Sequence, residues 1–197
     1  MIKVILFDLD GLVIVGRKLL FSLRLSETKN IPKEKIDEFF LNDFRECSFG
    51  RADLKEKIAP YLLKWNYDGS VDDILKFWFE SENTIDLEVL KIIKDLRSRD
   101  IKCYIATRQE KYRMSYLLND LKLKEYFDGT FCTCDIGYDK WQKEYWDFVF
   151  EKLKLNPEEI MFFCDTQKNV DAAEKLGVEA YFYTNINLLK DKTVFLK

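Results

Sequence analysis

Two acids one residue apart, Asp8 and Asp10, close the apolar run Ile2-Lys3-Val4-Ile5-Leu6-Phe7 and are followed at once by Gly11. Successive side chains of a strand alternate faces, so strand geometry kept to its end would turn both carboxylates the same way, with Leu9 opposed. Two carboxylates in one small space repel unless a cation or a shared proton relieves them. The pair therefore reads as a metal site or an acid/base pair. Asp-Gly is also a common strand-ending turn, and an acidic turn would use the same residues without any chemistry.

Composition narrows what such a site could do. The 197 residues include no histidine, which removes Ser-His-Asp hydrolysis, Cys-His proteolysis, His-ligated zinc and His-based proton transfer. Carboxylates, lysine, thiols or a metal on oxygen ligands remain. A 47% hydrophobic and 34% charged composition is that of an ordinary globular chain, and a net charge of −3 gives no pull toward nucleic acid or an anionic membrane. The five cysteines, an odd number without a secretory signal, predict reduced thiols and a cytoplasmic setting. Asp8 interrupts the opening apolar run too early for a signal peptide or a membrane span.

The elements that must hold these residues fall into two styles. Residues 17 to about 83 carry helical patterns and no convincing strand. Pro32 opens a helix through Ile36, Phe39, Phe40 and Phe44; another uses Leu54, Ile58, Tyr61 and Leu62; Ser70-Val71-Asp72-Asp73 resembles a capping box before Ile74, Phe77 and Trp78. From Asp86, a capping residue, helix and strand alternate. Strands are predicted over Ile101–Thr107, Thr130–Cys134, Ile160–Asp165, Ala180–Tyr183 and Thr193–Leu196, and helices from about Gln109 to Leu123, Trp141 to Leu153 and Asn169 to Gly177. Alternation of this kind predicts an α/β, doubly wound parallel sheet covered on both faces, with ligands beyond the carboxyl ends of the strands. Asp8, Thr107 and Asp165 stand at such ends.

Four segments in order, Asp8-Leu9-Asp10-Gly11, the strand ending at Thr107, Gly137-Tyr138-Asp139-Lys140, and Phe162-Phe163-Cys164-Asp165-Thr166-Gln167-Lys168-Asn169, resemble the motifs of the haloacid dehalogenase-like (HAD) superfamily. The resemblance spans essentially the whole chain and is closest to small phosphatases with a helical cap between the first and second motifs, including those acting on sugar phosphates. It implies a Rossmann-like core formed by residues 1–15 and 84–197, with a small helical cap, residues 16–83, inserted after the first strand. It also implies magnesium-dependent hydrolysis of a small phosphate monoester through a phosphoaspartate.

In that resemblance Asp8 is the nucleophile, and Asp10 protonates the leaving alkoxide and then activates the water that breaks the intermediate. Thr107 holds a phosphoryl oxygen, and Lys140 neutralises phosphoryl charge and contacts the nucleophile, with Lys143 as a substitute. Magnesium would take the Asp8 carboxylate, the Asp10 backbone carbonyl and Asp165, with water and phosphate completing an octahedron. Arg108 stands where the family has Asn, Trp141 where it often has Pro, and Cys164 where it has the first of two acids. Arg108 is still a sensible phosphate contact. The cap face over the substrate is expected at Phe49, Gly50 and Arg51, with Arg51 as a second substrate-binding residue. The partner implied is a small phosphorylated metabolite, with no nucleic acid or membrane, for a monomer or homodimer.

Other readings use the same residues. Retention of the HAD fold without efficient catalysis would suit the three departures, and a phosphomutase would move phosphate between two positions of one sugar. A haloacid dehalogenase needs no metal and lacks the second acid that Asp10 supplies. Cys132-x-Cys134, spaced to share one face of a strand, reads as buried structural thiols rather than a metal site. The mix of bases and aromatics from Lys140 to Trp146 reads as an amphipathic helix packing on the sheet.

Overall fold

The computed structural model describes residues 1–16 and 21–196. Residues 17–20, the start of the expected cap, and Lys197 lie outside the described residues. The strands are β1 (Val4–Phe7), β2 (Ile14–Val15), β3 (Thr84–Ile85), β4 (Lys102–Thr107), β5 (Gly129–Cys132), β6 (Ile160–Cys164) and β7 (Glu179–Phe182). The helices are α1 (Phe21–Lys29), α2 (Lys33–Leu41), α3 (Phe44–Ser48), α4 (Leu54–Lys64), α5 (Val71–Ser81), α6 (Leu87–Ser98), α7 (Lys111–Ser115), α8 (Thr133–Ile136), α9 (Lys143–Leu153), α10 (Gln167–Lys175) and α11 (Ile186–Thr193).

Strands β5-β4-β1-β6-β7 form one sheet in that order, every pairing parallel, so β1 is central and the chain winds outward from it in both directions. This is the doubly wound order expected of a Rossmann-like sheet. All four residues of β1 are buried. Its alternate side chains feed two cores: Ile5 and Phe7 join Ile105, Phe163 and the α6 residues Val89, Leu90 and Ile93, while Val4 and Leu6 join Phe162 and the α9 residues Tyr145, Trp146 and Val149. Burial on both faces explains why β1 and β6 read as unbroken apolar runs rather than alternating ones. Asp86 starts α6 as expected, its carboxylate accepting from the backbone N–H groups of Glu88 and Val89.

Helices α1 to α5 build a separate aromatic core from Phe21, Phe39, Tyr61, Trp65, Trp78 and Phe79. The short antiparallel ribbon of β2 and β3 lies at both crossings between this helical insertion and the sheet. The capping box at Ser70 and Asp73 is present. Among the described residues no helix is long and apolar enough to cross a membrane.

Five local expectations are corrected. The helix expected to run from Pro32 through Phe44 breaks after Leu41, because the Asp43 carboxylate is held by the Tyr61 hydroxyl at 2.7 Å and by Lys57. Phe44 nevertheless reaches the same aromatic core, 5.3 Å from the Phe40 ring. The helix expected over Gln109–Leu123 starts at Lys111, capped by Glu110, and widens into a π turn over Tyr116–Asp120. Strand β5 stops at Cys132, and Cys134 lies in α8, which Gly137 ends at φ +83°. Thr193–Leu196 is not a strand: Asn185 caps α11, and the Thr193 hydroxyl donates back to Leu189 O at 2.7 Å within that helix. Finally, β1 itself stops at Phe7, so Asp8 and Asp10 are not brought together by strand alternation. A tight turn does it instead, with the N–H of Ile14 donating to Leu9 O at 2.8 Å and that of Gly11 to Ile14 O at 2.9 Å.

Candidate active site

The carboxyl ends of β1, β4 and β6 open on a cavity of about 590 Å³ lined by Asp8, Asp10, Thr107, Arg108, Lys140 and Asp165 from the sheet side. Parallel strands all end on one edge, which is why residues so far apart in sequence converge. Asp8 is buried, and every oxygen of its carboxylate is taken. Oδ1 accepts the N–H of Leu9 at 2.9 Å, and Oδ2 accepts Lys140 Nζ and, at 2.8 Å, the thiol of Cys164. Lys140 Nζ also donates to Ala106 O at 3.1 Å, and its own carbonyl accepts the Trp146 indole N–H at 2.8 Å, so the ammonium is aimed from both ends. Burial opposes that charge, but the Asp8 carboxylate beside it prevails and lifts the Lys140 pKa above the ordinary lysine value. Lys140 therefore faces Asp8 as an ammonium at neutral pH.

Asp10 faces the cavity from the turn. Gln109 Nε2 donates to its Oδ2 at 2.7 Å, and Arg113 Nη2 lies 3.8 Å from its Oδ1. Arg113 is only 2% exposed, and the same Nη2 donates to the carbonyl of Glu82, the residue that ends the helical insertion. Glu82 Oε1 in turn accepts the N–H of Phe21 at 2.8 Å. Gln109, Arg113 and Glu82 thus join the expected proton-transfer acid to the insertion. No motif marked them. The signals in the sequence were slight: Gln109 and Arg113 follow the strand that ends in Thr107, and a lysine- and arginine-rich chain hides a buried arginine among solvated ones.

Asp165 sits at the rim, its carboxylate passing over Gly11. A Cβ on Gly11 would stand 2.0 Å from Asp165 Oδ2, and φ there is +81°, so only glycine admits the acid at this place. Partial burial and then the charge of Asp8 raise the Asp165 pKa. Donor atoms of Asp8, Cys164 and Asp165 all lie within 4.8 Å of one another. Two carboxylates and a cleft open to water suit magnesium, which keeps several waters; the thiol of Cys164 is spent on Asp8 and is a poor ligand for so hard an ion. Asn169 donates to the Cys164 sulfur at 3.5 Å.

The remaining residues singled out in the sequence separate. Arg108 lines the cavity and pairs with Asp139 at 3.4 Å. Trp141 lines it too, with Lys168 Nζ 3.5 Å from the ring centroid. Lys143 bonds to Asp147 at 2.7 Å on the exposed face of α9 and is not among the residues lining the cavity. Arg51 is not in this cavity: its guanidinium donates to Gly137 O at 2.9 Å and lies over the Phe49 ring, on a second cavity shared with Cys47, Lys111 and Cys134. Gly50 explains this, since a Cβ there would meet Cys134 O at 2.0 Å; the Phe49–Arg51 turn seats the insertion on α8 instead of facing Asp8. The insertion contributes Phe21, Ser22, Asp37, Phe40, Phe44 and Trp78 to the Asp8 cavity.

A parallel sheet of this order with two acids after its first strand, a lysine bonded to the first of them and an acid after its fourth core strand defines a class before any comparison is made. The model of the haloacid dehalogenase-like hydrolases matches residues 2–177, and the chain belongs to that family. It is similar to a phosphorylated carbohydrates phosphatase of Thermotoga maritima, 23% identical over 99% of this chain and 90% of that one. A D-ribitol-5-phosphate phosphatase of Bacteroides thetaiotaomicron is 22% identical over 92% and 91%. In fold it resembles a HAD family enzyme of Bacteroides thetaiotaomicron solved with magnesium and inorganic phosphate, with a TM-score of 0.81, 20% identity, and 93% and 95% of the two chains covered.

Proposed function

We propose that this chain is a magnesium-dependent phosphatase of a small phosphorylated carbohydrate, acting in the cytosol through a phosphoaspartate on Asp8. The observation that carries the reading is the buried Asp8–Lys140 pair at the floor of a cavity into which Asp10, held by Gln109, also projects. Phosphate monoester hydrolysis is among the slowest uncatalysed reactions, so the site must supply in-line attack and strong charge neutralisation. Asp8 attacks phosphorus, and Asp10 gives its proton to the leaving oxygen. Asp10 then takes a proton from the water that opens the acyl phosphate, so one carboxyl serves both halves of the reaction. Thr107 and Lys140 hold phosphoryl oxygens, and Arg108 adds charge at the mouth. Magnesium, held by Asp8, Asp165 and the Asp10 carbonyl, would offset the charge of the phosphoryl group.

The helical insertion acts as the cap. Its aromatic wall of Phe21, Phe40, Phe44 and Trp78 offers ring faces to the C–H face of a sugar or polyol, and Ser22 and Asp37 offer partners for hydroxyls. The names of the two similar phosphatases agree with such a leaving group. The test is phosphate release from a panel of sugar, polyol, nucleoside and aryl phosphates, with and without magnesium, for the native chain and Asp8→Asn. Turnover that needs magnesium and falls about a thousandfold or more in the variant is the expected result. Turnover unchanged by Asp8→Asn would refute it, as would a folded chain that hydrolyses none of the panel.

A further inference from the structure

A second group of side chains lies behind the cap seat and takes no part in the reaction above. Strand β5 ends at Cys132 and α8 begins at the next residue, and this change of direction brings the sulfurs of Cys132 and Cys134 to 2.9 Å. A covalent S–S bond is about 2.05 Å, so the two need to close by less than about 1 Å. Cys132 is wholly buried, whereas Cys134 is partly exposed and lines the second cavity, of about 330 Å³, between the insertion and the core. One sulfur is therefore open to a small reagent and the other waits directly behind it. Either can be the donor in the contact between them, so the singly ionised pair keeps its remaining proton between the two sulfurs. The contact between the two lowers the pKa of the Cys132 thiol and raises that of Cys134, while burial pushes Cys47 up to about 11 and both Cys103 and Cys164 up to about 12.

We infer that Cys132 and Cys134 are a dithiol modification site, oxidised by a hydroperoxide to an intrachain disulfide that slows the enzyme reversibly. The hydroperoxide enters at Cys134. Its O–O bond breaks as the sulfur takes the nearer oxygen, and the departing oxygen collects the proton of the pair and leaves as water or an alcohol. Cys132 then attacks the Cys134 sulfenic acid, the S–S bond forms, and hydroxide leaves and is protonated by solvent. Two thiols and one hydroperoxide give one disulfide, one alcohol or water, and one further water.

The position of the pair ties this bond to the site. The Cys132 thiol donates to Gln109 O at 3.3 Å, and Gln109 Nε2 is the donor that holds Asp10. The disulfide removes that thiol proton. Helix α8 also carries the insertion: the Thr133 hydroxyl donates to Ser48 O at 2.7 Å, and Arg51 reaches Gly137 O. Three residues past Gly137 the same segment supplies Lys140. Closing the two sulfurs must move α8, and with it both the seat of the cap and the approach to Lys140. This last consequence rests on the phosphatase reading; the oxidation itself does not.

The experiment uses the full chain, reduced, freed of metal, and treated with a few equivalents of hydrogen peroxide before alkylation and unfolding. Cleavage after Lys124 and Lys140 releases residues 125–140 as one peptide holding both thiols and no other cysteine. The expected result is that peptide unalkylated and lighter by two hydrogens, reverting with dithiothreitol, while Cys103 is alkylated in full. Phosphate release should fall severalfold with oxidation and recover with reduction, and Cys134→Ser should lose both effects. Full alkylation of Cys132 and Cys134 after peroxide, a Cys47–Cys134 link in their place, or sulfonic acid without a disulfide would each overturn the site. A disulfide that forms while phosphate release stays constant would overturn the switch. Because the mapping needs no substrate, it still decides the modification if the panel of phosphates shows no turnover.

Discussion

The sheet core and the helical insertion wall the same cavity with opposite materials. On the core side the wall is charged: Asp8, Asp10 and Asp165 on the segments after the buried strands β1 and β6, and Lys140 beyond the edge strand β5 and α8. On the insertion side it is mainly aromatic, with Ser22 and Asp37 among the rings, and the rings hold one another, Phe21 stacked on Trp78 at 5.2 Å and Phe40 edge-on to the same ring at 5.2 Å. The backbone register of a sheet fixes the first wall; side-chain packing among short helices fixes the second. Reacting groups that must hold their places to a fraction of an ångström belong on the first. A surface that selects among leaving groups can be repacked without disturbing a strand, and belongs on the second.

Lys140→Met would break the core wall most severely. It leaves the Asp8 carboxylate buried without its cation, and should cut phosphate release at least about a hundredfold and lower stability by about 3 kcal/mol. Steady-state kinetics and urea unfolding measure the two effects; a variant with near-native turnover would mean that the charge of this wall is dispensable. Gly11→Ala is a gentler break, since its Cβ displaces Asp165 while leaving every charged group in the chain. Magnesium affinity, read by calorimetry, should weaken by about 10–100-fold. Unchanged affinity would remove Asp165 from the proposed metal site.

On the other wall, Phe44→Leu should leave the rate on a generic aryl phosphate within a factor of about two and re-rank the sugar and polyol phosphates by up to about tenfold. A uniform loss across the panel would mean that the insertion supports catalysis rather than choice. The smallest effect concerns the joint between the walls. Asp53 caps α4 of the insertion and is held by Lys111 and Tyr112 of the core, whose hydrogen bonds lower its pKa from 3.8 to about 2. A depressed carboxyl contributes stability above its unfolded pKa and loses it as pH falls through the folded value. Asp53→Asn keeps a capping side chain but not the charge. Its melting temperature should sit slightly below the native one at pH 7, the gap closing between pH 3.8 and about 2; a gap that persists in acid would assign the difference to lost packing.

Much of the core was legible because its signals are local. The apolar runs that become β1, β4 and β6 end in Asp8, Thr107 and Asp165, and the caps at Ser70 and Asp86 are read from three or four neighbouring residues. Lys140 was legible only by its order among the motifs, one lysine among many. The insertion was legible as helices but not as a surface: Phe39, Phe40 and Phe44 share a stripe on paper, yet the chain turns between them on a contact from Asp43 to Tyr61, 18 residues away. Arg51 was misplaced for the same reason, its partner Gly137 lying 86 residues further on.

What the sequence determined by itself, then, is the main parallel strands, the helices capped at Ser70 and Asp86, the carboxyl-end acids and the family they resemble, all consequences of periodicity, caps and turns that neighbouring residues decide. Tertiary structure alone decided that a turn after Phe7 brings Asp8 and Asp10 together, that Gly11 makes room for Asp165, that Gln109 and Arg113 hold the acid, and that Cys132 and Cys134 meet. Each of these depends on where a distant backbone passes or how a short segment bends under packing, and side-chain type records neither.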